Sequence, residues 1–523
     1  MTSDLPHTHD GPVHLARMAA YYQALRDGQI FPRWASDLNY RYGMPLFNFI
    51  YHTPYLVASL FLAGGVGLVS TFKLVLAVSY LLAGIGIFLL GKELTGDDKK
   101  AMFIAVFYQF APFRLVEMSV RGSFGEVYTY ALLPFILFGI MRFIRSGSSI
   151  SFVITTIATG LLILSHNSIS LVFFLFALGF AMLQKATMKR KLWIIGALSL
   201  GLGVATFYWL PAVIEHKYTY GDLFMKDLYK THFAPFINFF IPNLTNNVSL
   251  QTGGIDTQIG FFHVLALLFG MVAVIRKQKI ATLGSQLIIY LLVVSAISFF
   301  FMEPISRIFW QSIPLLRQFQ FPWRLLSVMI VTTSLLSVLY FPQAWFKKKI
   351  MYVSIITFVI LSTIAFWRPP LGFDTGIDEA YYWNYPLNTT YFGETDLIWS
   401  AGQAKAYPKA QLEVIAGAGT LTNIKRRSTI HTATITAQTE TRLVDNTQYF
   451  PGWRIYVDGQ KVPIQFQDTL WRGLLTFTVP AGEHKVKVVF AKSKVQMAGE
   501  FISLTSMFLL FLLSTTIRSK RFI

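Results

Sequence analysis

Apolar residues fall into eleven long blocks along the chain, at about 68–91, 100–112, 124–145, 150–164, 168–184, 191–213, 259–275, 284–302, 322–342, 350–367 and 498–517. Blocks of this length predict helices that cross a hydrocarbon core. A further apolar stretch, Leu46 to Leu62, is interrupted by His52 and Pro54 and reads as an interfacial or juxtamembrane helix. Between Arg368 and Met497 the period changes to two, with strands at Thr429–Thr436, Arg454–Val457, Lys461–Ile464 and Lys485–Phe490, separated by Asp458-Gly459 and Ala481-Gly482 turns. The pattern predicts a polytopic α-helical membrane protein of about eleven spans with a C-terminal extracytoplasmic domain like a β-sandwich and a final transmembrane helix. Its units are an extracytoplasmic loop with juxtamembrane helices (1–67), a multi-span domain (68–367), a β domain (368–497), and a last helix with a basic cytoplasmic tail (498–523).

Composition agrees: of 523 residues 54% are hydrophobic and only 14% charged, against roughly a quarter charged in soluble domains. A net charge of +19 would suggest nucleic acid in a soluble protein. Here the positive residues recur after every second block, in Lys92/Lys99/Lys100, Arg142/Arg145, Lys185/Lys189/Arg190/Lys191, Arg276/Lys277/Lys279, Lys347/Lys348/Lys349 and Arg518/Lys520/Arg521. That periodicity marks cytoplasmic loops, so the excess is orientation information and no nucleic-acid partner is expected. Residues 1–67 and the β domain then lie outside, in a multi-pass protein of the cell membrane. An outside amino terminus with no signal peptide, followed by an odd number of spans, leads to the expectation that a first transmembrane helix is missing from this sequence. The absence of cysteine excludes disulfides and thiolate chemistry.

Ionisable residues at the outer helix ends are the informative ones, because charge near a membrane needs compensation. Four clusters stand out: His7-Thr8-His9-Asp10-Gly11-Pro12-Val13-His14 with Arg17, continued by GQIFPRW and YGMPLF; Arg121-Gly122-Ser123-Phe124-Gly125-Glu126; Leu164-Ser165-His166-Asn167; and Gln318-Phe319-Gln320-Phe321-Pro322-Trp323-Arg324. Each has a structural alternative. Asp10 and His14 would serve as helix caps, Glu126 with Arg121 as an ion pair at a helix start, His166-Asn167 as a tight turn, and Arg324 as an interfacial anchor. Zinc on His7, His9 and His14 is disfavoured for want of a second ligand segment. Trp34 and Trp323 are candidates for stacking on sugars, Trp453 and Trp471 for glycan binding, while Asp445, Asp458, Glu483 and His484 read as solvated turn residues.

The combination HDGPVHLAR, GQIFPRW, YGMPLFNF, RGSFGE, LSHN and FQFPWR resembles the bacterial membrane family labelled 6-pyruvoyl-tetrahydropterin synthase-related, and the tail YFPGWRIYVDGQKVPI with VPAGEHKVKVVF resembles the YfhO-like family. Both are similar to the GT-C superfamily of glycosyltransferases that use polyprenyl-phosphate sugars. The soluble zinc enzyme in the label shares nothing visible with this chain. The resemblance implies a catalytic acid at Asp10, acting as base or metal ligand, and a second acid at Glu126 that assists a divalent ion (Mg or Mn) or the acceptor. Substrate and phosphate binding would fall to His14, Arg17, Arg121, His166, Asn167 and Arg324; guanidinium forks suit phosphate. The expected partners are a polyprenyl-phosphate sugar in the lipid and a cell-envelope glycan or lipid acceptor. The competing readings are a flippase for a lipid-linked saccharide and a non-catalytic envelope-assembly protein.

Overall fold

A computed structural model describes residues 4–244, 255–277, 283–339, 347–391, 393–400 and 402–519. The main helices are α1 (Gly11–Arg26), α2 (Leu46–Phe49), α3 (Thr53–Ala63), α4 (Leu68–Thr95), α5 (Asp98–Gln109), α6 (Pro112–Val116), α7 (Phe124–Ser146), α8 (Ser149–Ile163), α9 (Ile169–Leu183), α10 (Met188–Val204), α11 (Thr206–Glu215), α12 (Phe261–Ile275), α13 (Ser285–Met302), α14 (Leu326–Leu336), α15 (Lys349–Leu361) and α16 (Lys494–Ser519). Lys279, Lys520, Arg521 and the end of the 322–342 block lie outside the described residues.

Of the eleven apolar blocks, five form helices long and apolar enough to cross a membrane: Leu68–Thr95, Phe124–Ser146, Ser285–Met302, Pro322–Leu339 and Lys494–Ile517. Two more are broken, α5 with Pro112–Arg121 at 53° and α10 with Thr206–Tyr218 at 64°, so the structure supports five to seven spans. The other four become α8, α9, α12 and α15, of 13 to 15 residues. At 1.5 Å per residue these reach only about 22 Å, short of a hydrocarbon core of roughly 30 Å.

Local chemistry sets the ends. Gly96 and Gly147 take left-handed φ (65° and 63°) to close α4 and α7, and Asp97 accepts the Lys99 and Lys100 amides to cap α5. Pro112 cannot donate to the ladder, so the chain breaks there. Before the second break, a β-carbon on Gly201 or Gly203 would collide with Thr159 or Ser506. Those glycines admit α8 and α16. At one end of the bundle Glu93 accepts Arg142 and Arg145, at 3.5 and 3.0 Å.

At the other end the β region forms two antiparallel sheets. Five strands run β4-β5-β10-β7-β8 and three run β3-β6-β9, where β3 is Leu412–Ala416, β4 Gly419–Arg426, β5 Ile430–Ala437, β6 Thr441–Gln448, β7 Trp453–Val457, β8 Gln460–Val462, β9 Leu474–Val479 and β10 Gly482–Phe490. Both sheets feed one apolar core that includes Ile435, Ile455, Val488, Leu443 and Phe477, the arrangement of a sandwich. Asp458 and Gly459 both have positive φ (50° and 83°), as a two-residue hairpin requires.

The early chain is built into this region. Strand β1 (Leu5–Pro6) pairs with β2 (Phe373–Asp374), and Trp34 and Phe49 belong to the sandwich core. Trp34 meets Trp453 edge-on at 5.2 Å, and both are buried. The expectation that Trp34 and Trp453 face glycans is therefore overturned. Trp323 is buried as well. Asp445 is also not a solvated turn residue: it is fully buried in β6 and accepts His431 of the opposite sheet at 2.8 Å, joining the two layers.

Candidate functional site

The site grows from the sequence between α6 and α7. Glu117–Arg121 makes a π-helical turn that stops at Gly122, whose φ of 64° is left-handed. A β-carbon on Gly122 would sit 2.5 Å from Thr8 Oγ1, so this glycine lets the amino-terminal loop close over the turn. Main-chain bonds fix that closure: His9 donates to Val120 O at 3.0 Å and Asp10 to Arg121 O at 2.9 Å.

Glu126, in the first turn of α7, is fully buried. Its Oε1 accepts both Arg121 Nη1 and Arg324 Nε, the latter at 2.9 Å, and lies 3.7 Å from His166 Nε2. Arg121 Nη1 also reaches both oxygens of Glu117, at 3.0 and 2.7 Å. Aromatic faces complete the shell, Trp323 at 5.0 Å from the Arg121 guanidinium and Phe321 at 4.7 Å from that of Arg324. Two buried acids thus balance two buried bases, the condition under which charge tolerates such a place. Glu126 Oε2 is enclosed and has no partner.

His166 accepts the Ser168 and Ile169 amides on Nδ1, at 3.2 and 3.3 Å, and so caps α9. That network assigns its proton to Nε2, on the side of Glu126. Gly125 permits the approach, because a β-carbon there would lie 2.7 Å from Ser165 O. His14 stacks on Phe124 at 4.2 Å, its Nδ1 bonds Tyr55 Oη at 2.9 Å, and Nε2 accepts the Phe124 amide at 3.4 Å. Burial, followed by the nearby Arg17 and Arg121 charges, pushes its pKa well below the ordinary 6.5, so the ring is neutral.

Asp10 stands at the N-cap position of α1 but makes no side-chain cap. Its carboxylate instead accepts Tyr391 Oη at 3.0 Å. The structure therefore gathers Glu126, Arg121, Arg324 and His166 on one carboxylate oxygen, sets His14 beside them through Phe124, and ties Asp10 in through the main chain. It does not bring Arg17 or Asn167 to that cluster by direct contact. Arg17 Nε donates to Thr389 Oγ1 at 3.1 Å, while Asn167 donates to Phe49 O at 3.1 Å and accepts Tyr208 Oη.

The donor set does not fit a divalent ion shared by Asp10 and Glu126. Glu126 already faces two guanidinium groups, whose charge opposes a cation at that carboxylate. Among the described residues no three His, Cys, Asp or Glu side chains are grouped to hold a metal.

Two features escape a sequence reading. Glu117 joins the cluster although it looks like one more loop acid. A second buried network links the early chain to the last helix: Arg33 donates to Asn48 Oδ1 at 3.0 Å and pairs with Glu500 at 3.2 Å, while Asn48 and Gln496 both donate to Glu215 Oε2, at 2.8 and 3.0 Å. The available signal was an acid, Glu500, inside an apolar block.

A profile of a membrane-protein family, described as a 6-pyruvoyl-tetrahydropterin synthase related domain, matches residues 49–369. Among solved structures, the cryo-EM structure of the arabinofuranosyltransferase AftD from Mycobacteria is similar at a TM-score of 0.42 and 16% identity, over 70% of this chain and 25% of that one. A mutant of the same protein gives 0.39 and 15%, over 69% and 26%. The chain thus spans about a quarter of the length of those structures. No curated protein matches the sequence.

Proposed function

The chain belongs to the 6-pyruvoyl-tetrahydropterin synthase related family of membrane proteins, and on that premise we propose that it is a membrane glycosyltransferase. It moves a sugar from a polyprenyl-phosphate carrier to a cell-envelope acceptor at the outer face of the membrane. The observation that carries this reading is the pinning of the Asp10 loop onto a buried cluster of two arginines and two glutamates. The resemblance of its motifs to polyprenyl-phosphate-dependent transferases supports the choice of reaction.

Asp10 is the base. As the acceptor oxygen bonds to the anomeric carbon, its proton passes to the Asp10 carboxylate, and the breaking carbon–oxygen bond leaves its electron pair on the polyprenyl phosphate. Positive charge fixed near that oxygen stabilises the transition state without reorganising. Glu126 is a positioning residue, which holds Arg121 through Nη1 and Arg324 through Nε; with Arg324 Nη1 taken by Phe319 O and Gln320 Oε1, the remaining N–H groups are left to the substrate.

The test is Asp10→Asn in the membrane-inserted chain, measured as transfer of labelled sugar from a polyprenyl-phosphate donor. Loss of a general base lowers the rate roughly 10²- to 10⁴-fold, and the thermal midpoint should not move. Undiminished transfer removes Asp10 from the mechanism.

One observation favours a second reading. Two broken helices, one with buried Arg114 and Glu117 just past its 53° break, resemble the discontinuous spans of translocators. Under that reading purified protein in liposomes would move a lipid-linked saccharide between leaflets and transfer nothing.

A further inference from the structure

Arg114 lies two residues into α6, immediately beyond the break from α5, and is 1% exposed. Among the described residues no carboxylate pairs with it, in contrast to Arg121 and Arg324. Three tyrosine rings surround its guanidinium, Tyr108 at 5.0 Å, Tyr80 at 5.1 Å and Tyr130 at 5.5 Å. Rings satisfy the faces of a guanidinium. They do nothing for the N–H groups in its plane.

The tyrosine hydroxyls are directed at other partners, and among the described residues none accepts from Arg114 Nε or Nη1. Tyr80 donates to Gln109 O at 3.3 Å, Tyr108 to Tyr130 O at 2.9 Å and Tyr130 to Ser327 Oγ at 2.8 Å. Arg114 Nε and Nη1 are enclosed and have no acceptor among the described residues. A permanent charge with unmet donors in a low-dielectric interior is costly. Unmet N–H groups on a fixed positive charge call for an anionic oxygen acceptor, and a phosphate ester supplies several. Of the three rings only Tyr80 is half-buried, so its side is the thinnest cover over the guanidinium.

We propose that Arg114 is the receptor for a phosphate group, with the tyrosines as the walls of its seat. That this phosphate belongs to the lipid carrier rests on the transferase reading; the anion site itself does not. Division of labour follows. The Glu126 cluster orders the reaction end, and Arg114, with no carboxylate partner among the described residues, supplies the positive charge that holds the anion.

The experiment uses the full chain in nanodiscs, with polyprenyl phosphate, the matched neutral polyprenol and inorganic phosphate as probes. Wild type should bind polyprenyl phosphate at least about tenfold more tightly than polyprenol, equivalent to one charged contact. Arg114→Met should abolish that preference and raise the thermal midpoint, since an apolar chain replaces an unpaired charge. Arg114→Lys, which keeps the charge but loses the fork, should retain part of the preference, and it decides the matter if Arg114→Met fails to fold. Protection of wild type by inorganic phosphate, absent in Arg114→Met, would identify free phosphate as a second source of the same ligand. A phosphate preference unchanged in both variants overturns the proposal, as does a lowered midpoint in Arg114→Met with unaltered binding, which would make the cage purely structural. If binding depends on Arg114 while no sugar transfer is found, the anion site stands and the transferase reading falls.

Discussion

Glu126 shows what a single residue contributes when its charge is shared. One oxygen takes Arg121 and Arg324, and nothing in the described chain replaces it if its charge is removed. Glu126→Gln leaves two guanidinium groups against the one remaining acid, Glu117. Breaking a buried ion pair from one side costs about 3–5 kcal/mol, so the thermal midpoint should fall by many degrees. Glu126→Gln combined with Arg324→Met should recover part of that loss, because the stranded charge is gone. Equal midpoints for the single and the double variant would show that Arg324 does not depend on Glu126. The sequence made Glu126 and Arg324 individually conspicuous as charges beside apolar blocks. It could not pair them, since a contact across 198 positions leaves no local periodicity. Arg114 was missed for the opposite reason: it makes no ion pair among the described residues, and in the sequence it looked like part of a connecting loop.

At the scale of elements, hydropathy marked eleven apolar blocks that are helical in the described residues but not which are long enough to cross, and it passed over α1. The α8 and α9 blocks run together in composition, and only the Ser165-His166-Asn167 turn separates them into helices of 15 residues each. Strands β5, β7, β8 and β10 were legible from period two and from the Asp458-Gly459 and Ala481-Gly482 turns; β3, β4, β6 and β9 were not. Asp445 was not, because a polar residue on a strand that is buried on both sides breaks the alternation. The close packing of α7 against the α8–α9 turn gives a test. A β-carbon at Gly125 meets Ser165 O at 2.7 Å and the Tyr51 ring at 2.7 Å, and main chain cannot yield as a flexible side chain would. Gly125→Ala should therefore lower the thermal midpoint by an amount equivalent to about 1–3 kcal/mol and weaken the His166–Glu126 approach. An unshifted midpoint would mean that the turn is free to move.

For the whole molecule, the distinguishing fact is that early and late chain are interleaved. Trp34 and Phe49 complete the core of a sandwich whose first strand begins at Leu412, and Arg33 pairs with Glu500 in the last helix. None of this was readable from composition, which suggested a self-contained β domain hung on a bundle. The Asp10 loop owes its position to the same interleaving, because β1, just ahead of it, has β2 as its partner strand. Ribosomes add roughly 5–20 residues per second, so Leu5 and Pro6 wait on the order of 20–70 s before Phe373 and Asp374 exist to pair with them. During biogenesis the strand just ahead of the Asp10 loop therefore remains unpaired while most of the helices are already inserted. Nascent chains arrested before residue 373 should leave Asp10 and its neighbours open to protease, and chains arrested well beyond residue 374 should protect them. Protection at the earlier arrest point would mean that the loop settles without its partner strand. A chain that ends before residue 373 lacks the strand that ties down Leu5 and Pro6, so its Asp10 loop would lean on the main-chain bonds to Val120 and Arg121.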